Sequence, residues 1–364
     1  MGRRFSWKYN LMSWLAYFRP STDMPIPLAL EPPLPPPRNG QDRGVFRLIF
    51  GGDIMTSRTG TVFRMDPRLR ETLAGADLFI ANCEGPVMGG KKTERGFPWI
   101  SFAMEEDFLR GCLKELGVLP SRCVLSVANN HIGDRGLEGL RSTLDCLGRM
   151  GVATVGQRGG APPFFLSLER NGLRMGIAAW THWQNRRTFD DFPAVLRGRD
   201  IIDSDWREIK MNGRLDLLVG IPHWGVEFHH FPRPEEKGLA RLLAQRGFDI
   251  LAGHHPHVLQ PLEWLGKTPC FYSLGNVNGP PLPLLPWPIR LGAFLEIALG
   301  VHGEQRGRVA GFAVHSFFRL LSGGQERLLP MERTRIPLRR KLMERWNLLF
   351  PFPQGGTFLS TSSR

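Results

Sequence analysis

Apolar runs of strand length recur along the chain from Val45 onward, with stretches of helical spacing between them. Residues 45–50, 77–81, 123–127, 173–179, 215–221, 249–251 and 270–274 read as strands. Runs such as VFRLIF, CVLSV and LDLLVGI are too short for ordinary helices and are rich in β-branched or aromatic residues. Helical spacing predicts helices over 105–117, 137–150 and 234–247, each closing on or beside a glycine, as a C-terminal stop should. Strand and helix in alternation predict α/β layering. Asn171-Gly172 is a hairpin signal. The runs 291–299 and 308–318 add strands with no helix between them, so the sheets are expected to be mixed.

Residues 25–40, PIPLALEPPLPPPRNG, favour extended polyproline II geometry and read as a linker. Ahead of it, Arg3, Arg4 and Lys8 precede the patch LMSWLAYF, which lacks the long apolar centre and cleavage site of a signal peptide. No run reaches the roughly 18–20 apolar residues that span a bilayer. This segment is expected either to dock on the body as a small helix or to touch a membrane surface through residues 1–20. The chain accordingly divides into an amphipathic segment 1–24, a linker 25–44, one domain over 45–320 and a peripheral extension 321–364 holding the basic cluster 335–341. The proline-rich stretch 280–288 is expected to be an irregular loop.

Of 364 residues, 42% are apolar and 22% charged, which fits a globular protein and excludes collagen, coiled coil and small disulfide scaffolds. The five cysteines are dispersed without a CxxC pair, so neither a zinc finger nor a disulfide framework is expected. A net charge of +13 draws a protein towards polyanions. No nucleic-acid partner is expected, because the arginines are dispersed and no RRM, zinc-finger or P-loop pattern is present.

The candidate chemistry stands just after five of the strands: Gly51-Gly52-Asp53, Asn82-Cys83-Glu84, Asn129-Asn130-His131, His223-Trp224-Gly225-Val226-Glu227 and His254-His255-Pro256-His257. In open α/β sheets ligands bind beyond the carboxyl ends of the strands, where loops converge on a rigid base. Carboxylates, an amide oxygen and imidazoles together suit Mn, Fe or Zn better than Ca. Taken singly, a Gly-Asp pair is a common turn, and Asn82 or Asn130 can cap a helix; the joint arrangement is the signal.

GGDIM, NCEGP, ANNHIGDRG, HWGVE, GHHPHVLQPLE and YSLGN, in that order over about residues 47–278, resemble the motif series of the CapA-type capsule synthesis proteins, the poly-γ-glutamate capsule family. That family is similar in turn to the calcineurin-like metallophosphoesterases. The resemblance implies a four-layer α/β/β/α sandwich of metallophosphoesterase type with mixed sheets. It also implies two divalent metal ions (Mn, Fe or Zn) on Asp53, Glu84, Asn130, His223, His255 and His257. Glu84 would bridge, with Asp53 and His257 on one ion and Asn130, His223 and His255 on the other. The chain departs from the phosphoesterase pattern at Met55, where that pattern has histidine, and at Asn82 and Glu84, where it centres on aspartate.

His131 is then a proton donor to a leaving group with Asp134 holding its ring, or a loop histidine held by backbone. Glu227 either orients His223 or is a solvated loop carboxylate. Asn82 and Asn276 line the pocket or form turns. Cys83 reads as buried filler, and His254, His229 and His230 are not expected to be ligands. Trp180, His182 and Trp183 form a substrate wall or pack in the core.

The expected function is a metal-dependent hydrolase of phosphoesterase type in capsule or poly-γ-glutamate biosynthesis, acting on an anionic polymer or phosphoester. The alternative is a non-catalytic polyanion-binding component of a polymer assembly or export complex, partnered by capsule-synthesis proteins. A serine hydrolase is set aside, since no GxSxG elbow is present. The expected location is the bacterial cytoplasm or the membrane surface.

Overall fold

The computed structural model describes residues 44–57, 60–89, 102–159, 164–185, 194–279 and 286–350. The segment 1–24, the linker up to residue 43, most of the loop 280–288 and residues 351–364 lie outside the described residues.

Two mixed sheets carry the fold. In chain order the strands are β1 (Val45–Met55), β2 (Val62–Met65), β3 (Leu78–Glu84), the short ribbon β4 (Val87–Met88) and β5 (Met104–Glu105), β6 (Cys123–Ser126), β7 (Ala153–Val155), β8 (Leu166–Arg170) and β9 (Leu173–Thr181). They continue with β10 (Leu217–His223), β11 (Ile250–Ala252), β12 (Leu262–Leu265), β13 (Thr268–Phe271), β14 (Leu291–Gly300), β15 (Val309–Ser322) and β16 (Gln325–Pro330). The first sheet runs β2-β16-β15-β14-β1-β3-β6-β7 and the second β12-β13-β11-β10-β9-β8. In the first, β1 is parallel to β3 and antiparallel to β14. In the second, β10 is parallel to both β9 and β11, and Asn171-Gly172 turns an antiparallel β8–β9 hairpin.

Period-two alternation sorts side chains into three cores. Phe46, Leu48 and Phe50 of β1 meet Met175, Ile177 and Val219 of the second sheet in the central core. The opposite face of the first sheet, with Ile49 and Phe79, packs on α1 (Pro67–Ala74), α2 (Glu106–Leu116) and α3 (Gly136–Met150) through Leu73, Leu113 and Leu147. The outer face of the second sheet, with Trp180 and Leu218, packs on α4 (Gly198–Ile202), α5 (Trp206–Asn212) and α6 (Pro234–Gln245) through Ile201, Trp206 and Leu243. The order is therefore helix, sheet, sheet, helix, the four-layer α/β/β/α sandwich with mixed sheets that the resemblance implied.

The expected domain end at 320 falls inside β15, and β16 pairs with β2. Arg319 and Glu326, on these last two strands, form an ion pair at 2.7 Å with no exposed side-chain surface on either partner. The basic stretch 335–341 opens helix α7 (Ile336–Leu349), whose start suits Pro337 in the first turn. The 342, 346, 349 spacing of Leu342, Trp346 and Leu349 puts all three on one face, which joins the central core. Chain expected to be peripheral thus contributes to the interior. Among the described residues, no helix is long and apolar enough to cross a membrane.

Candidate metal centre

β1 reaches the site by a local break in pairing. Its register with β3 goes from Phe50 opposite Ile80 to Asp53 opposite Asn82, so Gly51 and Gly52 face a single residue. Such a bulge bends a strand and re-aims the side chains beyond it. Gly52 is required there, because a Cβ would stand 2.0 Å from the carbonyl oxygen of Gly275. The backbone of Asp53 is then held on both sides: its N–H donates to Gly275 at 3.0 Å, and its carbonyl accepts from Val277 at 2.9 Å.

Asp53, Glu84 and His223 are strand-end residues of β1, β3 and β10, while Asn130, His255 and His257 sit in the loops after β6 and β11. All six are buried. The first sheet supplies the carboxylates and the amide, and the second supplies the imidazoles. Ligand atoms fall into three trios, each within 4.8 Å: Asp53, Glu84 and His257; Glu84, His223 and His255; and Glu227, His255 and His257. His257 Nδ1 donates to Asn276 Oδ1 at 2.9 Å, which turns Nε2 towards Glu84 Oε1, 3.6 Å away. His223 Nε2 stands 2.9 Å from Asn130 Oδ1 and 3.9 Å from Glu84 Oε1. Asn82 Nδ2 donates to Asp53 Oδ1 at 2.8 Å. Neither oxygen of Glu84 accepts a hydrogen bond, although the residue has no exposed surface.

Burial pushes the Glu84 carboxyl well above the usual carboxylate range, with the charge of His257 working against it. Burial also pushes His223 and His255 well below the usual imidazole value, aided by their neighbouring histidines. Burial acts the same way on His257, but Glu84 and Asp53 outweigh it and hold that imidazole at about 10. On Asp53 the upward push of burial is overcome by His257, His254 and Asn82, and the carboxyl lies low. His223 and His255 are thereby neutral, the form in which imidazole binds a cation, whereas Glu84 and His257 hold a proton that a cation would displace.

His131 is buried with its Nδ1 2.7 Å from Asp134 Oδ2, the arrangement expected for a carboxylate that orients the ring. Asp134 Oδ2 also accepts from the backbone N–H of Phe102 at 2.6 Å, and the Phe102 ring stacks on the imidazole at 3.7 Å between centroids. Asn185 Nδ2 stands 3.0 Å from His131 Nδ1 and 3.3 Å from its Nε2, and Asn185 Oδ1 accepts from Asn130 Nδ2 at 3.1 Å.

Several placements differ from the reading of the sequence. Glu227 groups with His255 and His257, and the amides of Asn82 and Asn130 stand against the two nitrogens of the His223 ring. The turn after β10, with Gly225 at φ 85° and Phe228 at φ 65°, carries the carboxylate there. Asn185 and Asn278 stand outside the motifs of the sequence, and Asn129 enters there only as a member of Asn129-Asn130-His131. Asn185 follows β9, so the rule that loops converge beyond strand ends applied to it as well. Asn278 clamps Met55, accepting its N–H at 3.0 Å and donating to its carbonyl at 2.7 Å. The Trp180 group splits: Trp180 belongs to the outer core, and Trp183 stands 6.3 Å from the His255 ring. His254 turns its Nε2 to the Gly51 carbonyl at 3.0 Å, away from the trios. All five cysteines are free and buried, and burial next to Glu84 pushes the Cys83 thiol up to about 12.

Among solved structures, a phosphatase from Mycoplasma pneumoniae is similar at a TM-score of 0.46 and 13% identity, covering 75% of this chain and 94% of that one. A 5′-nucleotidase precursor from Thermus thermophilus is similar at a TM-score of 0.41 and 15% identity, covering 83% and 58%. Among characterised sequences, the PGA biosynthesis protein CapA of Bacillus subtilis is 29% identical over 244 residues, 62% of this chain and 61% of that protein. The capsule biosynthesis protein CapA of Bacillus anthracis is 29% identical over 248 residues, 62% of this chain and 57% of that protein. The matched region thus spans about six-tenths of the length of these relatives. The family model of the bacterial capsule synthesis protein PGA_cap matches residues 47–279, a range that holds every residue of the three trios, and the chain belongs to that family.

Proposed function

We propose that this chain is a metal-dependent hydrolase of phosphoesterase type, acting on an anionic polymer or phosphoester in the synthesis of a capsule-type polymer. The observation that carries the reading is Glu84, a carboxylate with no exposed surface and no hydrogen bond to either oxygen, set between imidazoles. Leaving a carboxylate buried and uncompensated costs several kcal/mol, and cations beside it offset that penalty. Asp53, Glu84 and His257 would hold one ion, and Glu84, Asn130, His223 and His255 the other. Divalent ions in such a donor set supply Lewis acidity towards a phosphoryl oxygen and acidify water to a pKa of about 7.

The remaining work belongs to the chain. Asp134 accepts a hydrogen bond from His131 Nδ1–H and holds the ring, so that the imidazolium, protonated at both nitrogens, gives its Nε2 proton to the departing oxygen and is left as the neutral ring with Nδ1–H still bonded to Asp134. Phe102 covers one face of that ring and keeps water from it. Asn276 fixes the orientation of His257, as a hydrogen-bonded partner of a ligand does.

The test is to assay the purified protein for bound metal and for hydrolysis of bis(p-nitrophenyl) phosphate and p-nitrophenyl phosphate, with Asp53→Asn and His255→Ala beside it. Metal uptake and hydrolysis that both variants abolish are expected; an absence of metal, or activity untouched by either substitution, ends the reading. The net charge of +13 favours a second reading, a non-catalytic component that holds a polyanion within an assembly complex. Salt-sensitive binding of poly-γ-glutamate that survives both substitutions, without hydrolysis, would select it.

A further inference from the structure

Asp53 and Met55 are two residues apart on one strand and are registered against Asn82 and Glu84, so the sheet presents both to the same side. Met55 brings only a thioether, a soft donor, to a neighbourhood of carboxylate and imidazole. The trio Asp53, Glu84 and His257 therefore brings two carboxylates and one imidazole, which leaves a five- or six-coordinate shell open to a further protein donor beside the water that hydrolysis uses.

Glu227 is the carboxylate that reaches His257 from the second sheet's loops. Its ligand oxygen and the nitrogens of His255 and His257 all lie within 4.8 Å of one another. The two loops concerned are clasped, because the Phe228 N–H donates to the Pro256 carbonyl at 2.8 Å. Their backbones are left-handed at three non-glycine positions, Phe228 at φ 65°, His255 at φ 98° and His257 at φ 59°. Such conformations persist where the surroundings over-determine them and cluster at ligand sites. The orphaned, fully buried oxygens of Glu84 belong to the two adjoining trios, which share His255 and His257 with that of Glu227.

We infer that Glu227 is itself a metal donor, supplying the carboxylate oxygen that completes the shell begun by Asp53, Glu84 and His257, in a site where Met55 offers none. The inference rests on the two-metal reading above and goes beyond it in the residue it assigns.

The experiment is equilibrium dialysis of EDTA-stripped protein against Mn²⁺ alone, followed by the visible absorption of the Co²⁺-loaded protein. Wild type is expected to take up two ions. Glu227→Gln is expected to keep one at unchanged affinity and to weaken the other by more than the roughly 10–100-fold typical of losing a group that only orients a ligand. The Co²⁺ bands of one equivalent should change with it. Glu227→Asp, which keeps a carboxylate, is expected to retain both ions with a shifted Co²⁺ spectrum. An unchanged melting temperature in EDTA would show that the Gln variant is folded. Two ions held by Glu227→Gln at wild-type affinity, with a wild-type Co²⁺ spectrum, overturn the inference and leave the two-metal reading standing. No uptake of Mn²⁺ by wild type overturns both.

Discussion

Asn129 donates through its side-chain amide to the carbonyl oxygen of Cys83 at 2.7 Å, tying the loop after β6 to the end of β3. The same Nδ2 donates to Asn82 Oδ1 at 3.1 Å, and Asn82 in turn donates to Asp53. Asn129→Ala would leave buried acceptors without a donor and is expected to cost about 1–3 kcal/mol. Asn129→Asp, nearly the same shape, turns an acceptor towards two oxygens and is expected to cost at least as much. Urea midpoints at neutral pH check both, and a wild-type midpoint for the Asp variant would refute the role.

If His131 protonates the leaving oxygen, its value depends on how much that oxygen needs a proton. His131→Ala is expected to slow hydrolysis of an alkyl phosphoester by about 10²–10⁴-fold. The loss on a p-nitrophenyl ester should be much smaller, because p-nitrophenolate departs unaided. Comparing kcat/KM for the two substrate classes checks this. Equal losses would instead mean that the imidazole serves binding or structure.

Arg319 and Glu326 illustrate what breaking a buried ion pair does. Either Arg319→Met or Glu326→Leu alone leaves one uncompensated charge in the interior and is expected to destabilise by about 3–5 kcal/mol. The double variant should recover most of that loss, since it removes both charges. Thermal melts of the four proteins, read as a double-mutant cycle, measure the coupling.

Glu296 links β1, β14 and β15 through Arg47 at 2.7 Å and His315 at 2.8 Å. Burial pushes its carboxyl up, but the hydrogen bonds and charges of His315 and Arg47 outweigh that and hold it below the usual range. A carboxyl lowered by folding stabilises the protein above its unfolded pKa of about 4.3, and that contribution fades as pH falls through the folded value. Glu296→Gln is therefore expected to lower stability at pH 7 and to flatten the loss of stability on the acid side. Urea midpoints from pH 7 down to pH 3 test this; parallel wild-type and variant curves would refute it.

The strands bearing the donors were legible because each is an apolar run followed at once by polar residues, as in VFRLIFGGD and LDLLVGIPH. Their alternation with helices pointed to α/β layering, and the four-layer α/β/β/α sandwich came only from the resemblance that the motif series carries. Short strands such as β2 and β12 at the sheet edges, and β16 beside β2, carry no clear signal, since a run of four to six residues with charges in it has little periodicity. Trp346 and Leu342 escaped because Arg339, Arg340 and Lys341 between them and the domain made the segment look solvated. Glu227, four residues from His223, reads either as a partner of that histidine or as a solvated carboxylate, and its grouping with His255 and His257 has no signature in the sequence. Asn185 and Asn129 act through amide geometry, for which a sequence has no period.

Asp53 and Glu84 come from one sheet and the imidazoles from the other, so the cluster straddles the seam between the sheets, which apolar packing and hydrogen bonds such as that of His254 to the Gly51 carbonyl also join. Any ion held there is a rivet between the two halves of the sandwich. At a free concentration a hundredfold above its dissociation constant, such an ion adds about 2.7 kcal/mol against unfolding. Chelation would then do more than silence the site: it would loosen the sheets against each other, and resistance to proteolysis would track ion occupancy.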